Sequence, residues 1–374
     1  MRRLRIAWSG CKARLSRFHP RPCSEQTACT KGRPHSMAQE DFLAILKAFP
    51  KKHDLLIAFD SDGCVFDTMT LKQTRVFHPM TMEFWQLWPI ETYVRETAEF
   101  FNLFSQHRGR NRFLTQSALF HTIGSRAEVQ SIAEKTGLAL PDPTAIDLYV
   151  GAYEALGDST LREFVSRVSK GEKFDGQEVD IWAIHKVLGW SEAINRIMPY
   201  FTEGVEPYPH VRESLEETKE YADLMVVSQT PVGALRHEWK ANSIDRYVHE
   251  IAGQEMGKKW QHLQMAIESG GYESGKVLMV GDADGDKNAA DKASEKTGAR
   301  VGFYPTIPGR EVESWASFPA AARRFRDGTF DEAYQRKLND AFSAALPPVD
   351  HAPWLKEGYD HQRDYKPIVP LRKK

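Results

Sequence analysis

The chain has 374 residues, 41% hydrophobic and 27% charged, with 50 Lys and Arg against 51 Asp and Glu. A balance this close to neutrality gives no global reason to expect a nucleic-acid or membrane-surface partner, and no run of about eighteen apolar residues marks a spanning helix. The length is enough for a full core and for more than one domain.

Residues 1–36 hold nine Lys or Arg and one acidic residue. No apolar stretch follows the basic start, so a secretory signal is not expected, and Pro20, Pro22 and Pro34 break any long amphipathic helix of the organelle-import kind. The segment reads as a disordered basic leader. Three of the four cysteines, Cys11, Cys23 and Cys29, lie in it, and with Cys64 they match no zinc or redox spacing. A reducing, cytoplasmic setting is the expectation. Cys64 reads as a small buried residue, since no histidine near it in the sequence would activate a thiol.

From Met37 the composition changes. Phe42 to Phe49 has one apolar side and predicts a short helix closed by Pro50. Leu55 to Phe59 predicts a buried strand that ends abruptly in Asp60, Ser61, Asp62 and Gly63. Residues 70–204 read as an all-helical insertion. Its aromatic residues, among them Trp85, Trp88, Tyr93, Phe100 and Phe101, supply a separate small core. Helices are predicted over Ser125–Thr136 with Gly137 as the stop, over Asp180–Val187 and over Ile194–Met198.

Strand and helix then alternate. Strands are predicted at Leu224–Val227, Val248–Ile251, Val277–Val280 and Ala299–Phe303, with helices at His210–Thr218, Val232–Ala241, Gly257–Ser269 and after Asp286. This repetition argues for an α/β fold, a Rossmann-like, mostly parallel sheet with right-handed crossovers. Residues 37–69 and 205–304 form its two parts, and 305–374 a C-terminal helical extension with a Pro-, His- and aromatic-rich tail.

Three strands end in polar residues, at Asp60/Asp62, Ser228/Thr230 and Asp282/Asp286. In a parallel sheet these ends share one edge, where ligands bind. Carboxylates converging there raise one another's pKa unless a cation sits among them, and a set of hard oxygen donors favours magnesium. Such a centre suits phosphoryl transfer, with Asp as an accepted nucleophile and a carboxylate two residues on as acid and base.

At this point the motifs become specific. DSDGC at Asp60, VVSQT ending a strand, a lysine ahead of the last active-site strand and GDADGD at Gly281 occur in that order. Together they resemble the four motifs of the haloacid dehalogenase-like superfamily, and the insertion falls where that family places a helical cap. The resemblance implies Asp60 as nucleophile, Asp62 as general acid and base, Ser228 donating to a phosphoryl oxygen, and magnesium held by Asp60, Asp282, Asp286 and the Asp62 carbonyl. It implies an active-site lysine within GQEMGKK, where Lys259 fits the family spacing better than Lys258. Asp284 falls off that spacing and reads as a helix cap or solvent-facing residue.

Family members that dehalogenate lack an aspartate at the position of Asp62, so phosphate-ester hydrolysis of a small anionic metabolite such as a sugar phosphate is the main expectation. A phosphomutase of the beta-phosphoglucomutase type and a non-catalytic binding protein are the alternatives. In the insertion, Arg108, Arg110 and Arg112 are candidates to grip the substrate's second anionic group, and Arg75 and His78 follow the nucleophile loop closely.

Overall fold

A computed structural model of the chain describes residues 44, 45 and 47–369. The leader over 1–36 and Phe42, Leu43 and Leu46 of the helix expected over Phe42–Phe49 lie outside the described residues.

Five short strands form one sheet: β1 Leu56–Phe59, β2 Asp223–Val227, β3 Glu250–Ala252, β4 Val277–Gly281 and β5 Val301–Pro305. The order is β3-β2-β1-β4-β5, and every pairing is parallel. β1, β2 and β4 are buried on both faces, which is why they read as continuous apolar runs rather than alternating ones. Alternate residues nevertheless serve different layers. Ile57, Phe59, Leu224, Val226, Leu278 and Val280 pack under the helix Glu311–Arg326, with Trp315 and Phe318. Leu56, Ala58, Met225, Val227, Val277 and Met279 pack under the helices Lys259–Gly270 and Asp284–Thr297.

Two strands start later than the sequence suggests. Val248 follows a turn of 3-10 helix at Asp245–Tyr247, so the strand expected from Val248 begins at Glu250. The amides of Ala299 and Arg300 are taken by the hydroxyls of Thr297 and Ser274, and ladder pairing begins only at Val301.

Between β1 and β2 the described residues form helices and no named strand. They enclose their own core of Val76, Phe113, Phe120, Tyr149, Phe164 and Trp190. The two chain crossings into this insertion pair with each other, Phe66 bridging Pro207 and the Tyr208 amide donating to the Val65 carbonyl. The helices expected over Asp180–Val187 and Ile194–Met198 are one, Ile181–Thr202, capped by the Asp180 carboxylate. Gly189 does not interrupt it, because burial of Val187, Trp190 and Ile194 outweighs a glycine penalty of about 1 kcal/mol.

From Pro347 the tail turns back over the insertion. Trp354 packs edge-on against Phe100 and Phe101, and Tyr359, His361 and Tyr365 hydrogen-bond to Glu96 and Glu99 of the helix Glu91–Leu103. No helix among the described residues is long and apolar enough to cross a membrane.

Candidate active site

The strands that end in polar residues are neighbours, β2, β1 and β4, so Ser228, Asp60 and Asp282 emerge side by side at the carboxyl edge. The chain steps from β1 through β2 to β3 on one side and then returns to β4 on the other side of β1, and this switch in direction opens a crevice there. Asp60 is 5% exposed, Asp282 1% and Asp286 0%, and each offers an oxygen within 4.8 Å of the other two.

Lys259 is the first residue of its helix and reaches across to this cluster. Its Nζ lies 2.8 Å from Asp60 Oδ2 and 2.6 Å from Asp286 Oδ1, while Lys258 is exposed. Asp286 occupies the third position of the following helix and turns back to accept from the amides of Asp282 and Ala283, both at 3.1 Å. Asp284 stands at that helix's first position, half-buried and outside the carboxylate cluster.

Close approach at this edge depends on two glycines. Gly63 has φ +80°, and a Cβ there would fall 2.5 Å from Asp282 Oδ2 and 2.7 Å from Arg108 Nη2. A Cβ at Gly281 would lie 2.4 Å from Asp286 Cγ. The nucleophile loop is also held from behind. Trp239 Nε1 donates to Ser61 Oγ at 3.0 Å and Trp315 Nε1 to the Cys64 carbonyl at 2.8 Å. Cys64 is fully buried beneath the turn.

The electrostatics divide the two aspartates of the loop. Burial pushes the Asp60 carboxyl up to about 8; Lys259 opposes this, and the neighbouring Asp286 and Asp282 add to it. Burial likewise raises Asp282 to about 6 against the pull of Arg108. For Asp62 burial loses. The Lys72 ammonium at 2.6 Å, with the hydroxyls of Thr68 and Thr230 donating to the same carboxylate, holds it down to about 2. Asp62 is therefore a committed carboxylate standing outside the three-acid cluster.

A divalent cation fits the cluster on its own terms. Asp60 Oδ1 and Asp282 Oδ1 are buried without any hydrogen-bond partner, a costly arrangement that a cation would relieve, and all the donors are hard oxygens. Ser228 is 2% exposed; its Oγ accepts from the Thr230 amide at 3.2 Å, which leaves the hydroxyl proton for a ligand.

The three arginines separate. Arg108 is buried and donates from Nε to Asp282 Oδ2 at 2.6 Å and from Nη1 to the Leu103 carbonyl, so it is tied into the acidic cluster rather than standing free to grip a substrate. Arg110 is exposed at the cavity wall. Arg112 bonds only neutral acceptors, Asn195 Oδ1 at 2.8 Å and Ser191, and lies over the Phe77 ring. Trp85 packs within the insertion against Phe120 and Trp190, and Trp88 is 43% exposed, donating to Glu83.

Thr68, Lys72 and Thr230 are the partners that sequence reasoning did not assign. The only signal for Thr68 and Lys72 is their nearness to Asp62 in the chain. Lys72 precedes a single turn of π-helix, Gln73–Phe77, and its reach to Asp62 could not be read from periodicity.

The sheet edge opens into a cavity of about 1650 Å³ whose walls come from both the sheet side and the insertion, including Asp60, Ser228, Lys259, Asp282, His78 and Gln116.

Comparison with known proteins agrees with the motifs. Residues 152–299 match the family model described as haloacid dehalogenase-like hydrolase, a span that contains Ser228, Lys259, Asp282 and Asp286. No curated protein matches the chain. Among solved structures, a haloacid dehalogenase-like family hydrolase from Xanthomonas campestris is 11% identical, covering 75% of this chain and 96% of its own, with a TM-score of 0.39. A 2-haloacid dehalogenase from Pseudomonas syringae pv. Tomato is 13% identical over 72% and 99%, with a TM-score of 0.35. A HAD-superfamily hydrolase, subfamily IA, from Geobacter sulfurreducens is 13% identical over 68% and 88%, with a TM-score of 0.34. The fold assignment rests on strand order and register rather than on these likenesses. Over residues 152–299 the chain is thus similar to the haloacid dehalogenase-like hydrolases, and its four motifs stand in chain order at one edge of the parallel sheet.

Proposed function

We propose that the protein hydrolyses phosphomonoesters with magnesium through an aspartyl-phosphate on Asp60. The observation that carries this reading is the trio Asp60, Asp282 and Asp286, buried together with two unpartnered oxygens and bridged by Lys259. Magnesium bound by the trio, with the Asp62 carbonyl as a further ligand, would offset the charge of a phosphate facing a carboxylate.

This chain's residues then have distinct tasks. An Asp60 oxygen attacks phosphorus as the ester oxygen leaves, and the ester oxygen takes a proton. Lys259 and the Ser228 hydroxyl hold the phosphoryl oxygens. Asp62 is the proton carrier. In the resting site Lys72 keeps it ionised, the form that takes a proton from the water attacking the phosphoaspartate. A phosphate dianion arriving beside it pushes its pKa upward, toward the form that protonates the leaving alcohol.

The test is release of phosphate from an aryl phosphate with and without magnesium, alongside trapping of acid-stable, hydroxylamine-labile phosphoenzyme. Asp60→Asn should abolish both signals. Turnover that persists in that variant, or that ignores chelation of magnesium, would exclude the mechanism.

A further inference from the structure

The insertion's share of the cavity wall includes residues of the helices His78–Trp85, Glu91–Leu103 and Arg112–Ser125. This wall is apolar at Val94, Ala98, Phe113 and Leu119. Set among them is a small hydrogen-bonding group of Trp190, Thr81 and Gln116.

Trp190 Nε1 has only a proton to give, and it gives it to Thr81 Oγ1 at 3.2 Å. The Thr81 hydroxyl keeps its own proton and donates it to Gln116 Oε1, also at 3.2 Å. With its oxygen engaged there, the Gln116 amide presents Nε2 as a donor, and this nitrogen is buried with no partner.

One helical turn before Thr81, His78 lies on the same side of its helix. It is 1% exposed, lines the same cavity, and has both ring nitrogens buried without a partner. Burial, with Arg95 nearby, lowers its pKa to about 3, so the ring is neutral and offers one donor and one acceptor. Buried groups of this kind are nearly always satisfied, and three unmet positions on one wall point to a ligand.

Resting on the hydrolase reading above, we propose that His78 and Gln116 bind the far end of the substrate's alcohol, which is uncharged, bulky, and carries hydroxyl or amide groups that both donate and accept. A two-carbon acid would leave this wall unmet. A carboxylate could accept from Gln116 and from the imidazole N–H but would leave the imidazole acceptor without a proton. Arg112 is held by Asn195 and Ser191 over Phe77, and the same two side chains donate to the Asp158 carboxylate, so the two charges beside this wall offset each other. Sugar phosphates and nucleoside monophosphates both have the required chemistry.

The experiment compares wild type, His78→Leu and Gln116→Leu on four esters: methyl phosphate, 2-phosphoglycolate, glucose 6-phosphate and uridine 5′-monophosphate. Both variants should raise KM for one of the two larger esters at least tenfold while leaving kcat/KM for methyl phosphate within twofold; which ester responds identifies the sugar or the nucleoside. Preference of wild type for 2-phosphoglycolate, or an equal loss on all four esters, would overturn the assignment. Calorimetric titration of the Asp60→Asn protein with the two larger esters separates this inference from the reading beneath it. Binding that His78→Leu abolishes supports the pocket even if no ester is turned over, and binding that neither substitution changes refutes it.

Discussion

Among the described residues, the acidic groups buried under the tail and those buried at the sheet edge are built differently. Under the tail, Glu96 is 4% exposed and meets the Arg126 guanidinium at 2.5 Å, His361 Nδ1 at 2.9 Å and the Tyr359 hydroxyl, so neither oxygen is left unmet. At the sheet edge, Asp60 and Asp282 each keep one oxygen without a partner although three carboxylates crowd together. In the first cluster the Glu96 carboxylate is fully partnered by these groups, although Glu99 Oε1 and Arg126 Nε and Nη2 beside it are not; what it lacks is a crowd of carboxylates. The second stores unfavourable electrostatics that a ligand would discharge, and that contrast separates a site from a staple.

The sharpest break in the comparison comes from removing one acid from each cluster. Asp60→Asn should lower turnover below detection, by more than about 10³-fold, while thermal melting stays level, because burial already favours the neutral form of Asp60 and the amide replaces it at the same size. Glu96→Ala should do the reverse. It strands Arg126 and should cost about 3–5 kcal/mol in denaturant unfolding, with magnesium dependence unchanged. A melting loss at Asp60 as large as that at Glu96 would mean that the two clusters are alike.

A smaller effect is expected from Gly63→Ala. The left-handed backbone costs about 1–2 kcal/mol for a residue with a Cβ, and the new methyl meets Asp282. Magnesium affinity measured by titration should fall with it.

The pH dependence of magnesium binding sharpens the same point. Asp60 and Asp282 are raised in the free protein, so the folded state without metal gains from their protonation at low pH and loses that gain as pH rises through about 6 to 8. Binding requires the ionised forms, so the rise in melting temperature on adding magnesium should be greater at pH 8 than at pH 6. Equal shifts at both values would place the metal elsewhere.

The smallest expected effect concerns His262, fully buried with both ring nitrogens unpartnered, whose pKa burial and Lys259 lower to about 4. The unfolded chain protonates it near 6.5 and the folded chain does not, so its contribution is complete above 6.5 and is lost as pH falls toward 4. His262→Leu should flatten that part of the melting profile, which calorimetry between pH 4 and 7 would register.

Much of this was legible in the sequence, for identifiable reasons. β1, β2 and β4 are buried on both faces, so their apolar runs stand out, and polar residues closing such runs could be noticed at Asp60, Ser228 and Asp282. Lys259 was chosen over Lys258 by family spacing, and the structure brings its ammonium to Asp60. What sequence could not supply were pairings made in three dimensions. Arg108 stood out as one of a basic run, but nothing near it in sequence says that it lies against Asp282, 174 residues away. The Trp190, Thr81 and Gln116 chain joins three helices and has no sequence pattern at all. The break expected between Val187 and Ile194 is absent because packing of Val187, Trp190 and Ile194 carries the helix through.

The tail has a mechanical consequence. A body joined to another by two strands of chain that lie side by side, as at Phe66 and Pro207, is free to swing about that single line. Lys72 on Asp62 and Arg108 on Asp282 already tie it down at the sheet edge, and Trp354, His361 and Tyr365 fasten it again through the helix Glu91–Leu103. Traffic between cavity and solvent must then use the aperture as it stands or wait until the buckle at Glu96 and Glu99 comes undone.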